Sequence, residues 1–253
     1  MSNHQLLDNI THKNLKIITK QGKTFGDNAS YTQIVLSEFR NLQNHYPIFF
    51  RKNTENGQFE VIALFGFNNE ENLFLDENNW NASYIPLTIQ RRPFLIGFKD
   101  VNQQGIISQE PVVHVDMDSP RIDSLESKGK VEHAIDSQPV FLEQGGQTEF
   151  LQNKSVILNE IHEGHKHTKL FIDTLLEKDL IEPVTVKVEL NDGTKNELKN
   201  LYTINEEKIN NLSNDDLVSF HQQGYLQHIY MTFASTSNLS NLIDMKNQQL
   251  KKD

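Results

Sequence analysis

Hydrophobic residues fall into short runs through the first half of the chain. Runs of this length, rich in aromatic and β-branched residues, are typical of β-strands. They are YPIFFR, FEVIALFGF, YIPLTI, FLIGFK and PVVHVD. Six of the seven prolines lie between Pro47 and Pro139, and proline at that density excludes long helices. One helix is predicted over residues 30–46, where apolar side chains approach helical spacing before Pro47 ends the pattern.

The pattern of the second half is mainly helical. Thr148 is a predicted N-cap, and apolar residues then recur every three, four or seven positions, which predicts one long amphipathic helix with a bend near Gly164. Valines then alternate with polar residues up to Asn-Asp-Gly, which predicts a β-hairpin over residues 184–204. Two short helices should follow at capping boxes, Thr203 with Glu206 and Ser213 with Asp216. Gly224 is a predicted C-cap, and one more apolar stripe comes after it.

Together these patterns predict an α+β fold for residues 1–253, built as one domain around a single compact core. Its β-rich half would span residues 1–145, and its mainly helical half, containing the hairpin, residues 146–253.

Composition narrows the classes of function. The chain has 253 residues with 24 basic and 34 acidic side chains, a net charge of −10, which argues against binding to nucleic acid or anionic membranes. It contains no cysteine, so disulfides and thiolate chemistry are excluded. No apolar window approaches the roughly 18 residues of a membrane span, and the first residues lack the apolar core of a signal peptide. We therefore expect a soluble, cytoplasmic protein.

The segment PVVHVDMDSPRI carries the densest group of chemically active residues. Strand alternation places His114 and Asp116 on one face, and a His-x-Asp pair can supply two ligands of a facial-triad iron site. His165, from the segment HEGHKH, is the candidate third ligand, although this segment lacks the histidine spacing of a zinc protease. The competing interpretation is a turn in which Asp118 accepts backbone hydrogen bonds and Arg121 pairs with a carboxylate.

Aromatic and basic residues before this segment are candidate ligand contacts. Trp80 and Tyr84 lie in a predicted polar loop, where an aromatic side chain either anchors a partner or packs beneath the loop. Arg91 and Arg92 precede a proline, and either could bind a carboxylate or phosphate. Pairing with an internal acid is the alternative, for which the nearby candidates are Asp76, Glu77, Asp100 and Glu110.

Several segments, in order, resemble the SapC family. They are EFRNLQNHYPIFF, ALFGFNNEENLFLDENNWNASYIPLTIQRRPFLIGF, HVDMDSPRI, FLEQGGQT, IHEGHKHTKLFIDTLLEKDLIEP, NLYTINEEKINNL and GYLQHIYMTFASTSNLSNLI. The resemblance runs from about Ser37 to Lys246. Asn200 and Ser119 depart from it, since the family commonly has glycine and histidine there. The resemblance implies a bacterial accessory protein of surface-layer or uptake systems and no established reaction.

The leading expectation is thus a non-catalytic binding or assembly protein without a cofactor. Its partner would be a protein or peptide of a surface-layer or receptor system, contacted by Trp80, Tyr84, Arg91, Arg92 and Arg121. One alternative is a cupin-like non-haem iron oxygenase that uses His114, Asp116 and His165. Another is a structural subunit that binds no ligand. Whether the chain is an enzyme, and its oligomeric state, are left open by the sequence.

Overall fold

The computed structural model of the chain describes residues 3–76, 79–103, 106–123 and 136–251, and within these ranges it has an α+β fold. The strands are β1 His4–Leu6, β2 Lys16–Ile18, β3 Tyr31–Gln33, β4 Ile48–Lys52, β5 Phe59–Leu64, β6 Leu75–Asp76, β7 Asn79–Trp80, β8 Phe94–Gln103, β9 Ile106–Asp116, β10 Ser137–Pro139, β11 Ile181–Glu189 and β12 Lys195–Ile204. The α-helices are α1 Phe39–Leu42, α2 Leu87–Gln90, α3 Glu149–Glu177, α4 Glu206–Asn210, α5 Asn214–Gln222, α6 Tyr225–Ser235 and α7 Asn238–Leu250. Two 3₁₀ helices span Lys23–Phe25 and Leu36–Glu38.

The chain groups into two compact units made of discontinuous segments. Unit 1 comprises Met1–Asn28, Leu75–Trp80 and Leu87–His162, and unit 2 comprises Ala29–Phe74, Asn81–Pro86 and Glu163–Asp253. These units do not follow the β-rich and helical halves of the sequence. Whether all 253 residues form one domain stays a prediction.

Unit 1 holds three antiparallel sheets. The largest has the strand order β1-β9-β8, and the pairs β10-β2 and β6-β7 form the other two. Its core is aliphatic and aromatic, and comprises Leu15, Ile17, Phe94, Val115, Val140, Phe141, Leu151 and Leu158. The alternation in PVVHVD therefore buries Val115 in this core, as expected for a strand with one covered face.

Unit 2 is built on one five-stranded antiparallel sheet with the order β11-β12-β4-β5-β3. Its core combines aliphatic side chains with many aromatic ones, and the fully buried aromatic residues are Phe39, Tyr46, Phe50, Phe65, Phe171 and Phe220. The hydroxyl of Tyr46 donates a 2.6 Å hydrogen bond to the carbonyl of Tyr84, so this buried polar group is satisfied.

The predicted long helix and hairpin are both present. The Thr148 hydroxyl accepts a hydrogen bond from the backbone N–H of Leu151 at 3.3 Å, which confirms its role as the N-cap of α3. β11 and β12 form the hairpin, whose turn places Gly193 at a φ of 85°. None of the described helices is long and apolar enough to cross a membrane.

Two predicted elements of the first half are wrong. YIPLTI is not a strand, because Leu87–Gln90 forms α2 directly after Pro86, and proline is favoured beside the first turn of a helix. The helix expected over residues 30–46 shrinks to α1 and a 3₁₀ turn. Its first residues instead form β3, because pairing with β5 outweighs the local helical spacing.

Of the capping predictions for the second half, those at Ser213 and Gly224 are confirmed and the one at Thr203 is wrong. Ser213 caps α5 as predicted, since its hydroxyl accepts from the Asp216 N–H at 3.1 Å. Thr203 does not cap α4, because it belongs to β12. Asn205 caps that helix instead, and accepts from the Lys208 N–H at 2.8 Å. Gly224 follows α5 with a φ of 73°, the left-handed conformation expected beyond a helix end.

Gly164 permits a close contact within unit 2. A Cβ atom added there would lie 2.8 Å from the Cβ of Val35. We expect Gly164→Ala to destabilise the protein by about 1–3 kcal/mol through overpacking, although glycine to alanine usually stabilises a helix. In a Val35→Gly background, which removes every contacting side-chain atom of Val35, the same change should instead stabilise by about 0.5–1 kcal/mol. Urea unfolding of the four variants measures both values, and a stabilising Gly164→Ala in the wild-type background would contradict the contact.

Candidate functional site

A buried ion pair joins the turn after β9 to the loop after β2, within unit 1. The Nη2 of Arg121 lies 2.7 Å from both carboxylate oxygens of Asp27, and both side chains are almost wholly buried. The Nη1 of Arg121 donates to the carbonyls of Ile18 and Lys20, at 3.2 and 2.8 Å, and Nη2 also donates to the Gln21 side chain. Arg121 thereby fixes the loop that carries Asp27.

This geometry agrees with the turn interpretation of DMDSPR. Arg121 pairs with a carboxylate, and Asp118 accepts the backbone N–H of Asn3 at 3.1 Å. The Nε of Arg121 is buried without a hydrogen-bond partner among the described residues. The terminal nitrogens of Arg121 donate their hydrogen bonds within the protein. Arg121 therefore affects the neighbouring basic side chains mainly through its positive charge.

Arg92 reaches the same carboxylate from the other side. Its Nη1 lies 3.7 Å from Asp27 and donates a hydrogen bond to the carbonyl of Gly26. Burial lowers the pKa of Arg92, the charge of Arg121 lowers it further, and the charge of Asp27 acts in the opposite direction. Arg92 is therefore close to a second arginine, with which it shares one acid.

Arg91 and Lys154 complete a group of four basic side chains. Arg91 donates to the carbonyl of Phe94 at 2.7 Å, and its pKa is lowered by burial and by the charge of Arg92. The Nζ of Lys154, on α3, donates to the carbonyl of Gln90 at 2.5 Å, next to Arg91 in the chain. Burial and the charge of Arg121 lower the pKa of Lys154 to about 8.

We call Arg91, Arg92, Arg121 and Lys154 the basic cluster. Among the described residues, Asp27 is the one carboxylate in ion-pair contact with it. Asp76, Asp100 and Glu110, which the sequence offered as partners of the arginines, do not contact them among the described residues, and Glu77 lies outside those residues. Within this group of five side chains, four positive charges and one negative charge leave an excess of three positive charges, although the whole chain carries −10.

Sequence reasoning missed Asp27 and Lys154. Lys154 lies three residues after Leu151 and four before Leu158, both of which are buried, so helical spacing could have placed it near the core-facing side of α3. Asp27 lies directly after Gly26 in the loop between β2 and β3, and no local pattern marks a residue that pairs across 94 positions.

The two aromatic candidates, Trp80 and Tyr84, belong to different units. Trp80 is in unit 1, paired with Leu75 in a two-stranded sheet, and only 9 % of it is exposed. It therefore packs beneath its loop. Tyr84 belongs to unit 2, where its hydroxyl donates to the carboxylate of Glu38 at 3.2 Å. A ligand contact by either residue stays a prediction.

Two of the three proposed iron ligands, His114 and Asp116, lie on β9. His114 is opposite Leu95 in the β8-β9 pair, and its ring packs on Gly97, where an added Cβ atom would lie 2.5 Å from Nε2. Asp116 accepts the backbone N–H of Asp118 at 3.2 Å, and His165 belongs to α3 in unit 2. No group of three or more potential ligands occurs among the described residues, so we derive no chemistry through a metal. A role for His114, Asp116 and His165 in iron binding stays a hypothesis.

Residues 7–242 of the 253 match the family model of SapC. The chain belongs to the SapC family. No curated protein and no solved structure matches it. The match includes the whole basic cluster and Asp27, so the candidate site lies in the part of the chain that defines the family.

Removal of the shared acid tests the ion pair. We expect Asp27→Asn to destabilise the protein by about 3–5 kcal/mol, because Arg121 would be left as an uncompensated buried charge. Asp136→Asn, which removes a surface ion pair with Lys20, is the matched control and should change stability by about 0–1 kcal/mol. Urea unfolding provides both values. Equal effects of the two substitutions would contradict the structural role of Asp27.

The lowered pKa of Lys154 predicts a distinct pH dependence of stability. Folding lowers this pKa from 10.5 to about 8. Between these two pH values, Lys154 is therefore protonated in more of the unfolded chains than of the folded ones. Stability should therefore rise with pH from about 8 to 10.5, relative to Lys154→Met, by at most about 1.4 kcal/mol per pH unit. Partial solvation of Lys154 makes this an upper bound.

Urea unfolding at pH 7, 8, 9 and 10 measures the difference between wild type and Lys154→Met. Lys199→Met removes an exposed lysine and is the control, so its difference from wild type should not change over this range. Parallel pH profiles for wild type and Lys154→Met would contradict the lowered pKa of Lys154.

Proposed function

We propose that this SapC-family chain is a non-catalytic accessory protein that binds an anionic group of a partner through the basic cluster. The supporting observation is the incomplete neutralisation of four clustered basic side chains by Asp27. Like charges that lower one another's pKa raise the free energy of the empty site. A bound anion would relieve this repulsion, so the cluster favours an anionic ligand.

Unused hydrogen-bond donors also support anion binding. A guanidinium has five N–H donors and an ammonium has three. Among the described residues, the side chains of Arg91 and Lys154 each donate one hydrogen bond, and both are only partly buried. Arg91 can therefore present a pair of parallel donors, the geometry that suits a carboxylate or a phosphate.

The overall charge restricts the kind of anion. With −10 on the whole chain, a long polyanion such as nucleic acid would be repelled by most of the surface. A single carboxylate or phosphate on an otherwise neutral partner would be attracted by the basic cluster, and the rest of that partner would not be repelled by the negative charge of the chain. We therefore propose a partner polypeptide that presents an acidic side chain or its terminal carboxylate.

The biological setting rests on family likeness. We propose an accessory role in surface-layer export or outer-membrane uptake, because the resemblance to the SapC family implies such a role. Arg92 and Arg91 are the proposed contact residues, with Lys154 beside them and Arg121 as the positioning residue. Trp80 and Tyr84 remain proposed contacts without further support from their surroundings.

Sulfate is the probe of the anion site, because its charge is constant above neutral pH. We expect sulfate to raise the thermal midpoint of the wild-type protein above that in chloride of equal ionic strength. Arg91→Gln should weaken the sulfate affinity by about tenfold or more, through loss of charge-assisted hydrogen bonds. Differential scanning fluorimetry across a sulfate titration gives the apparent affinity.

Arg40→Gln is the matched control, since Arg40 is an exposed arginine of α1. Its sulfate response should equal that of wild type. The wild-type affinity should also fall as the pH rises through about 8, because Lys154 then loses its proton. Equal responses of Arg91→Gln and Arg40→Gln would mean that sulfate acts through general solvent effects, and would contradict the proposed site.

A further inference from the structure

Unit 2 contains a pocket whose described lining residues include no member of the basic cluster. Its volume is about 400 Å³, which is within the range of small-molecule sites. The segment after β3, helix α3 and the start of α6 line it. The residues that matter here are Leu36, Ser37, His167, Leu170, Tyr225 and His228, which we call the His228 pocket.

The aromatic wall of the pocket is held rigidly from behind. The His228 ring packs edge-on against Phe39, with 5.5 Å between ring centroids, and contacts Phe171 at 6.0 Å. Tyr225 also packs edge-on against Phe171, at 5.1 Å. Phe39 and Phe171 are fully buried, so Tyr225 and His228 present fixed ring surfaces to the pocket. Fixed aromatic surfaces favour a planar ring, which gains dispersion and quadrupole interactions without ordering the wall.

Polar groups at the pocket can bind the edge of such a ring. Within the described part of the chain, neither the Tyr225 hydroxyl nor the His167 imidazole has a hydrogen-bond partner. His228 is already engaged, since its Nδ1 lies 3.0 Å from the carbonyl of Gly224. One hydroxyl and one imidazole are thus available to recognise a donor or an acceptor on a ligand.

The charge of the pocket points to a neutral ligand. No carboxylate, lysine or arginine occurs among its described lining residues. Burial lowers the pKa of His228, which disfavours the charged form of its ring. An ion bound there would lose hydration without gaining an opposite charge.

We propose that the His228 pocket binds an uncharged small molecule with a planar ring and a hydrogen-bonding edge. Tyr225 and His228 contact the faces of the ring, and the Tyr225 hydroxyl and His167 contact its polar edge. Leu36 and Leu170 supply the aliphatic walls. This site requires no part of the basic cluster, and its ligand differs from the anion proposed for unit 1.

Nicotinamide is the probe, and its binding at pH 8 can be measured by saturation-transfer NMR and titration. Cyclohexanecarboxamide has the same amide on a saturated ring, and nicotinate has the same ring with a negative charge. We expect nicotinamide to bind more tightly than either. Equal or tighter binding of the saturated or the charged compound would overturn the proposal, as would absence of nicotinamide binding.

Variants locate the binding. Leu170 is 57 % exposed, so Leu170→Trp should fold and fill the mouth of the pocket, which abolishes nicotinamide binding. Leu176→Trp, at another exposed position of the same helix, should bind as wild type does. Tyr225→Phe keeps the ring and should weaken binding about fivefold by loss of one hydrogen bond. Unchanged binding in both Leu170→Trp and Tyr225→Phe, with folding verified by circular dichroism, would place the ligand elsewhere and overturn the proposal.

Discussion

The contact between Arg121 and Asp27 is the constraint on which the candidate site depends. Both charges are buried, and burial of an ion pair is expensive unless nearly every donor and acceptor is satisfied. The two terminal nitrogens of Arg121 meet this requirement with two loop carbonyls, the Gln21 side chain and the Asp27 carboxylate, whereas its Nε has no partner among the described residues. The pair therefore defines where the loop before Asn28 lies relative to the end of β9. Its main contribution is to the specificity of the structure and less to its stability.

The same contact explains why positive charge accumulates nearby. Asp27 also faces Arg92, so one carboxylate is divided between two guanidinium groups. Arg91 and Lys154 add two further charges, whose described hydrogen bonds are to backbone carbonyls, and the Nζ of Lys154 also lies 5.2 Å from the centre of the Phe150 ring. Carbonyl oxygens accept hydrogen bonds but carry no net charge, so they orient these side chains without neutralising them. The result is an oriented group of cations with an excess charge, which is the physical basis for the proposed anion site.

Sequence patterns revealed elements whose stabilising contacts are local. The hairpin of β11 and β12, the capped start of α3 and the Ser213 cap all depend on residues a few positions apart, and each was predictable. The region around residues 30–46 was not, because β3 exists through pairing with β5 some thirty positions away. Family resemblance correctly identified the SapC family, although periodicity alone could not.

The candidate site was predictable only in part, for the same reason. Arg91, Arg92 and Arg121 stood out as basic residues beside strands, and the pairing of Arg121 with a carboxylate was one of two interpretations. Its partner Asp27 is 94 positions away, so no spacing rule could select it from 34 acidic residues. Burial of Trp80 likewise follows from pairing and packing that a polar local sequence conceals.

The most direct measurement of the central claim is anomalous diffraction from crystals of the wild-type protein equilibrated with selenate. The account requires a selenium peak within hydrogen-bonding distance of the Arg91 and Lys154 side-chain nitrogens, and its loss in crystals of Arg91→Gln. Selenate bound only at other surface positions, or an undiminished peak in Arg91→Gln, would contradict the account.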